Sequence, residues 1–202
     1  MSRSLIALLV VAFGLAGCSG MRLVDSDVRS FATPPYVPVG ARYRFERLPS
    51  QQANEAVQSQ LESMAQQALG KAGLQRDDAA ARYSVQVSYG RQVAPYAPWE
   101  QPASGWWPNW SVGFGVQSGH VLIGGNRMMP GFGPAERPYY LRQVSLVIRH
   151  LGTAKVVYET YAEHDGPWSD NEAVLPAMLD AALKDFPNPP PGVRRIKLEI
   201  PR

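Results

Sequence analysis
Two neighbouring stretches decide the fold: Tyr140-Leu141-Arg142-Gln143-Val144-Ser145-Leu146-Val147-Ile148-Arg149 and Lys155-Val156-Val157-Tyr158-Glu159-Thr160-Tyr161-Ala162. Both are rich in β-branched and aromatic residues, and in the first Val144, Leu146 and Ile148 share one face by strict alternation. Leu151-Gly152-Thr153 lies between them, so the pair reads as a β-hairpin. Upstream, Tyr83, Val85, Val87 and Tyr89 alternate with Ser84, Gln86 and Ser88, a strand with one apolar face. Three further stretches read as strands: Met21 to Phe31, Tyr43 with Phe45, and a last one carrying Ile196, Leu198 and Ile200. Thr33-Pro34-Pro35 and Pro38 break the first of these, because proline removes a ladder donor.

Two segments carry a helical period instead. From Pro49-Ser50 onward, Ala53, Ala56, Val57, Leu61, Met64, Ala65, Ala68 and Leu69 form one apolar stripe, with Gly70 and Gly73 as the stop. Ser169-Asp170-Asn171-Glu172 has capping-box spacing, and Val174, Leu175, Met178, Leu179, Ala182, Leu183 and Phe186 follow as a second stripe. Pro176 is expected near the first turn, where a missing N–H costs little, and Pro187 to Pro191 end the helix. One-sided helices and one-sided strands bury their apolar faces together. The expected fold is therefore α+β: a mixed, mostly antiparallel sheet with two amphipathic helices on one face.

The chain has 202 residues, of which 45% are hydrophobic and 18% charged, which fits one domain and excludes disorder over the whole length. No apolar run approaches the ~20 residues a bilayer span requires. The formal charge of +3 is spread along the chain, without the concentrated basic patch of a nucleic-acid binder, so no nucleic-acid partner is expected.

Arg3 precedes an apolar run from Leu5 to Ala16, too short to span a bilayer but of signal-peptide length. It ends in Leu15-Ala16-Gly17-Cys18, and Cys18 is the chain's only cysteine, so an internal disulfide and a cysteine-built zinc site are excluded. The triplet Leu15, Ala16, Gly17 before Cys18 resembles the bacterial lipobox. That resemblance implies a diacylglycerol on the thiol, cleavage before Cys18, and a further acyl chain such as palmitate on the freed amine. Several acyl chains together anchor firmly where one holds only marginally. Ser19 after the cysteine implies, by the sorting rule of enteric bacteria, the outer membrane with the protein facing the periplasm. The organisation expected is a signal peptide over 1–17, lipidated Cys18 and the start of a tether over 18–20, and one α+β domain over 21–202.

Within that domain, 94–138 is a Trp/Pro/Gly-rich insertion that holds Trp99, Trp106, Trp107 and Trp110 among the chain's five tryptophans. Long insertions in compact domains are usually functional or mobile. The tryptophans fit a cap on the core, an interaction surface for another protein, or contact with glycan or lipid. Gly113, Gly115 and Gly119 miss the dinucleotide fingerprint by one residue.

A pattern for catalysis is absent. His120, His150 and His164 are far apart in sequence, and no nucleophile elbow occurs. Glu163-His164-Asp165 is the one local acid–imidazole cluster. Alternation sends His164 to the face opposite both carboxylates, so a solvated polar strand end is expected there. No catalytic, cofactor-binding or metal-binding residue is assigned, and the chain is expected not to be an enzyme. The expectation is a lipid-anchored envelope protein, a binding or structural module whose partner is the membrane through Cys18 and an envelope protein. A peptidoglycan- or glycan-binding or glycan-processing lipoprotein is the alternative.

Several short pieces together resemble the bacterial lipoprotein family known as domain of unknown function 4136. They are the strand ending near Asp27, Tyr43-Arg44-Phe45, and Ala68-Leu69-Gly70-Lys71-Ala72-Gly73-Leu74. Ala81-Arg82-Tyr83-Ser84-Val85-Gln86-Val87 and Ala182-Leu183-Lys184-Asp185-Phe186-Pro187 complete the set. Members usually place an aspartate in the hairpin and a tryptophan in the next strand, where this chain has Gly152-Thr153 and Tyr158. The resemblance implies a secreted, lipid-anchored envelope protein with no assigned activity.

Overall fold
The strand Tyr139–His150 (β5) alternates between buried and half-buried residues along its length, and it pairs on both sides. On one side it meets Tyr83–Ala94 (β4) in an unbroken antiparallel register from Tyr83 opposite His150 to Ala94 opposite Tyr139. On the other it meets Val156–Gly166 (β6), which closes the hairpin expected from sequence. The computed structural model describes residues 20–94 and 138–201.

Among the described residues the sheet around this trio has seven strands, in the order β3 (Gln75–Arg76), β2 (Arg42–Phe45), β4, β5, β6, β1 (Met21–Ala32) and β7 (Val193–Pro201). Met21–Ala32 (β1) lies antiparallel between β6 and the final strand Val193–Pro201 (β7). Arg42–Phe45 (β2) pairs parallel with β4 and with Gln75–Arg76 (β3), a two-residue edge strand that sequence reading missed. The sheet is thus mixed and mostly antiparallel. Helices α1 (Pro49–Gln52), α2 (Glu55–Lys71) and α3 (Asn171–Ala182) complete the described elements. The two long helices pack on the same face, over Val24, Val28, Val85, Val87, Val144, Leu146, Ile148 and Ala162. Lys71 and Asp180 join them with an exposed ion pair of 2.6 Å. The expected fold class is the one observed.

Local details depart from expectation for physical reasons. The first helix is interrupted at Ala53 and Asn54, so the expected stripe begins out of phase. Val57 is 65% exposed, while Gln58 and Glu62 are buried in its place. Arg47 makes a bidentate pair with Glu62 at 2.7 and 2.8 Å, and Gln58 donates to the Val87 carbonyl at 3.2 Å. Fully partnered polar groups can replace apolar ones beneath a helix, which periodicity alone does not reveal. Gly70 stays helical, and Gly73, with φ of +88°, turns the chain out. In α3 the capping box does not form: the N-cap is Asp170, without a side-chain cap, because Arg22 takes its carboxylate. Pro176 lies inside α3, beyond the first turn, so it removes a helical hydrogen bond.

Leu146, fully buried in the central strand, reports on this packing. Leu146→Ala is expected to lower unfolding free energy by about 2–5 kcal/mol in urea titrations, and Val57→Ala to change it by less than about 0.5 kcal/mol.

Candidate functional site
Alternation on β1, β5 and β6 sends Arg22, Arg142 and His164 to the helix face at the end of the sheet where α3 begins. Each is buried. Arg22 donates to the Asp170 carboxylate, and its guanidinium lies 5.3 Å from the centre of the Trp168 ring. Arg142 donates to the Trp168 carbonyl and, at 2.9 Å, to Asn171 Oδ1. The Tyr140 ring carries Arg142 at 5.1 Å and Arg91 at 4.8 Å. Two buried arginines therefore hold the first residues of α3 to the sheet.

His164 corrects the sequence expectation. Glu163 and Asp165 are exposed, as expected, but the imidazole between them is only 4% exposed. Its Nδ1 lies 2.6 Å from the Asp25 carbonyl oxygen. Neither neighbouring carboxylate orients it, and Asp165 instead accepts from the Tyr139 hydroxyl at 2.8 Å on the open face. Burial of the Tyr139 ring, with that carboxylate beside it, pushes its hydroxyl well above the usual tyrosine range.

A second feature lies at the opposite end of β4 and β5. A half-open cleft of about 440 Å³ runs between the turn at Gly40 and the start of β4, with Arg42, Arg82, Tyr83 and His150 on its walls. Arg42 is tied to Asp77 at 3.1 Å, whereas Arg82 is exposed. The His150 ring stands edge-on to Tyr83 at 5.3 Å, and its Nδ1 is 3.4 Å from Thr153 Oγ1. The lining contains no carboxylate, hydroxyl nucleophile or thiol apart from the Tyr83 phenol. Its polar wall is made of two guanidinium groups, one already paired with Asp77, an imidazole and a phenol.

The residues singled out by sequence, Leu15, Ala16, Gly17 and Cys18, lie outside the described residues, as do Trp99, Trp106, Trp107 and Trp110. The ends of the insertion are described: the chain leaves β4 at Ala94 and enters β5 at Tyr139, on paired strands. No helix among the described residues is long and apolar enough to cross a membrane. Among those residues, no three His, Cys, Asp or Glu side chains gather where a metal ion could be held.

Residues 26–188 match the model of the family described as domain of unknown function DUF4136. The chain belongs to that family. The two positions noted in the resemblance now have a place. Gly152 and Thr153 form the exposed β5–β6 turn, while Tyr158 is a core residue stacked edge-on to Phe186 at 4.9 Å. The tyrosine therefore fills interior space at that position.

No curated protein matches the chain. Among solved structures, a PDZ domain protein from Parabacteroides distasonis is similar at 15% identity and a TM-score of 0.46. That match covers 94% of this chain and 41% of the other, so the DUF4136 chain spans well under half of that protein. Two PelC dodecamers from Paraburkholderia phytofirmans are similar at 13% identity, with TM-scores of 0.38 and 0.40. Each of these covers 78% of this chain, and 91% and 95% of the PelC chains respectively.

The ion pair at α3 gives a pH test. The hydrogen bond from Arg22 holds the Asp170 carboxyl below its ordinary value of 3.8. A lowered folded-state value means the contribution is present above 3.8 and is lost as pH falls below it. Thermal melts of Asp170→Asn are expected below wild type near neutral pH, and the two melting temperatures are expected to converge in acid.

Proposed function
We propose that this protein is a lipid-anchored cell-envelope binding module, held in the outer membrane at Cys18 and facing the periplasm. The observation that carries this reading is the placement of the lone cysteine. It follows an apolar run of signal-peptide length and the triplet Leu15-Ala16-Gly17, and it stands three residues before the first strand opens at Met21. The anchor needs no spanning helix, because acyl chains supply the membrane affinity at about 0.8 kcal/mol per buried CH₂.

The module binds without catalysis in this reading, and its contact surface is the aromatic insertion with Trp99, Trp106, Trp107 and Trp110. Tryptophan is enriched where a few side chains dominate interface energy. The partner is another envelope protein. The insertion is a connection between adjacent antiparallel strands, so the sheet can close without it. That separation of fold from contact surface supports a binding role for the segment.

Two measurements test this. In a Gram-negative host, the mature protein is expected to begin at Cys18, carry acyl chains by intact mass, and sediment with membranes. Cys18→Ala is expected to lose the lipid and leave the membrane fraction; equal retention overturns the anchor. A photocrosslinking residue replacing Trp107 is expected to give a discrete protein adduct in living cells. Glycan adducts in its place move the contact to the cell wall and overturn the protein partner.

A further inference from the structure
Antiparallel pairing dictates which residues share an end of the sheet. Met21 opens β1 opposite Pro201, Ala94 closes β4 opposite Tyr139, and Gly166 closes β6 opposite Tyr140. All of these gather at one end. At the other, Val193 lies opposite Arg29, Ala32 opposite Tyr158, and Tyr83 opposite His150. Strands of 12 residues, at about 3.3 Å each, separate the two ends by roughly 35–40 Å.

We infer that the end holding Met21, Ala94 and Tyr139 is a membrane-contact surface, seated on the lipid headgroups of the bilayer that anchors the protein. This rests on the reading of Cys18 as the lipidated residue. Ser19 and Gly20 alone lie between Cys18 and Met21, so three Cα–Cα steps join them. Even fully extended they reach at most about 11 Å. The headgroup layer of one leaflet is about 5–8 Å deep, so this tether keeps the first residue of β1 at the headgroups. The far end of the same strand lies several tether lengths away and is excluded from that layer by distance in any upright arrangement.

The side chains at this end suit the place. Met21, Leu23 and Val93 are 52%, 47% and 42% exposed, each as a single apolar side chain. Arg91 is exposed and lies over the Tyr140 ring, which keeps a cation at the rim. Arginine and aromatic rings are the side chains that favour the headgroup region. Of the carboxylates nearby, Asp170 is neutralised by Arg22 and Asp165 accepts from Tyr139, while Glu199 opposite Leu23 and Glu172 in the first turn of α3 stand exposed. Exposed apolar side chains alone do not choose the end, since Phe31 and Val193 stand as far out at the opposite one. Tether length makes the choice. The cleft with Arg42, Arg82 and His150 then faces away from the bilayer.

The test uses the full lipidated chain in vesicles of phosphatidylethanolamine with phosphatidylglycerol. Spin labels are attached to Leu23→Cys and Val93→Cys at the proposed contact end, and to Thr153→Cys and Val193→Cys at the other. All four positions are exposed, circular dichroism checks each fold, and the Cys18 sulfur is already consumed as a thioether. Intact mass is read first, then collision with membrane-soluble oxygen against a water-soluble nickel chelate. The oxygen-to-nickel ratio is expected to be several-fold higher at positions 23 and 93 than at 153 and 193. Equal ratios at both ends, or the reverse order, in a protein whose mass carries the lipid overturn the orientation and leave the anchor standing. A mass without lipid overturns the anchor and this inference together.

Discussion

The pairing of β5 between β4 and β6 is the constraint on which the rest of the structure depends. A register slip of one residue on either side would turn Val144, Leu146 and Ile148 toward the open face and bring Ser145 and Gln143 under the helices. The alternation of β5 therefore fixes its partners. Val85 and Val87 must face the way Ile148 and Leu146 face, and Ala162 the way Val144 does. With these aligned, β1 packs beside β6 with Val28 opposite Ala162, which keeps Val24 and Val28 on the same face. The helices follow, because Val24, Val28, Val85, Val87, Val144, Leu146 and Ile148 form a continuous apolar surface on this face.

That apolar face is not uniform, and its exceptions are paired. Glu62 is buried under α2 but grips Arg47 with both oxygens and accepts from Gln58. Burial alone would raise its carboxyl, yet these partners hold it below the ordinary carboxylate value. Arg142 shows the reverse balance: burial lowers its guanidinium from the ordinary value even with Trp168 and Asn171 accepting from it. A buried charge whose partners are neutral costs more than one facing a counter-ion. The polar bonds at this end nevertheless fix where α3 starts, which the missing capping box does not do.

Sequence reading was strongest where a period was unbroken. The strands around Val85, Leu146 and Tyr158 and the helix carrying Met178 and Leu179 were legible because alternation and helical spacing each ran for several residues. It failed where tertiary partners replaced local signals. Val57 was assigned to the core and Gln58 was not, since nothing local tells that Gln58 can reach the Val87 carbonyl. Ser169 and Glu172 had capping spacing, but Arg22, 148 residues from Asp170, captured the helix start. His164 lies on the face that alternation gives it but is buried, because its imidazole meets the Asp25 carbonyl of β1, a partner 139 residues away that no local pattern reveals. The cleft beside Arg82 carries no motif: its walls come from three separate segments that meet through the parallel pairing of β2 with β4 and the antiparallel pairing of β4 with β5.

The sheet also separates the molecule's two ends in a way that single residues do not. β4, β5 and β6 each run antiparallel to the next, so their connections alternate between ends. The β5–β6 turn at Gly152 must therefore lie at the end opposite Ala94 and Tyr139. Because β1 pairs antiparallel with β6, its first residue falls at the same end as Ala94 and Tyr139. The chain start of the domain and both ends of the aromatic insertion are thus brought together by topology, without a contact between them being required. The cationic cleft is assigned to the other end by the same rule, since it is built where β4 begins and β5 finishes. The cleft and the pair Ala94–Tyr139 thus stand at opposite ends for one reason, the antiparallel course of β4 against β5.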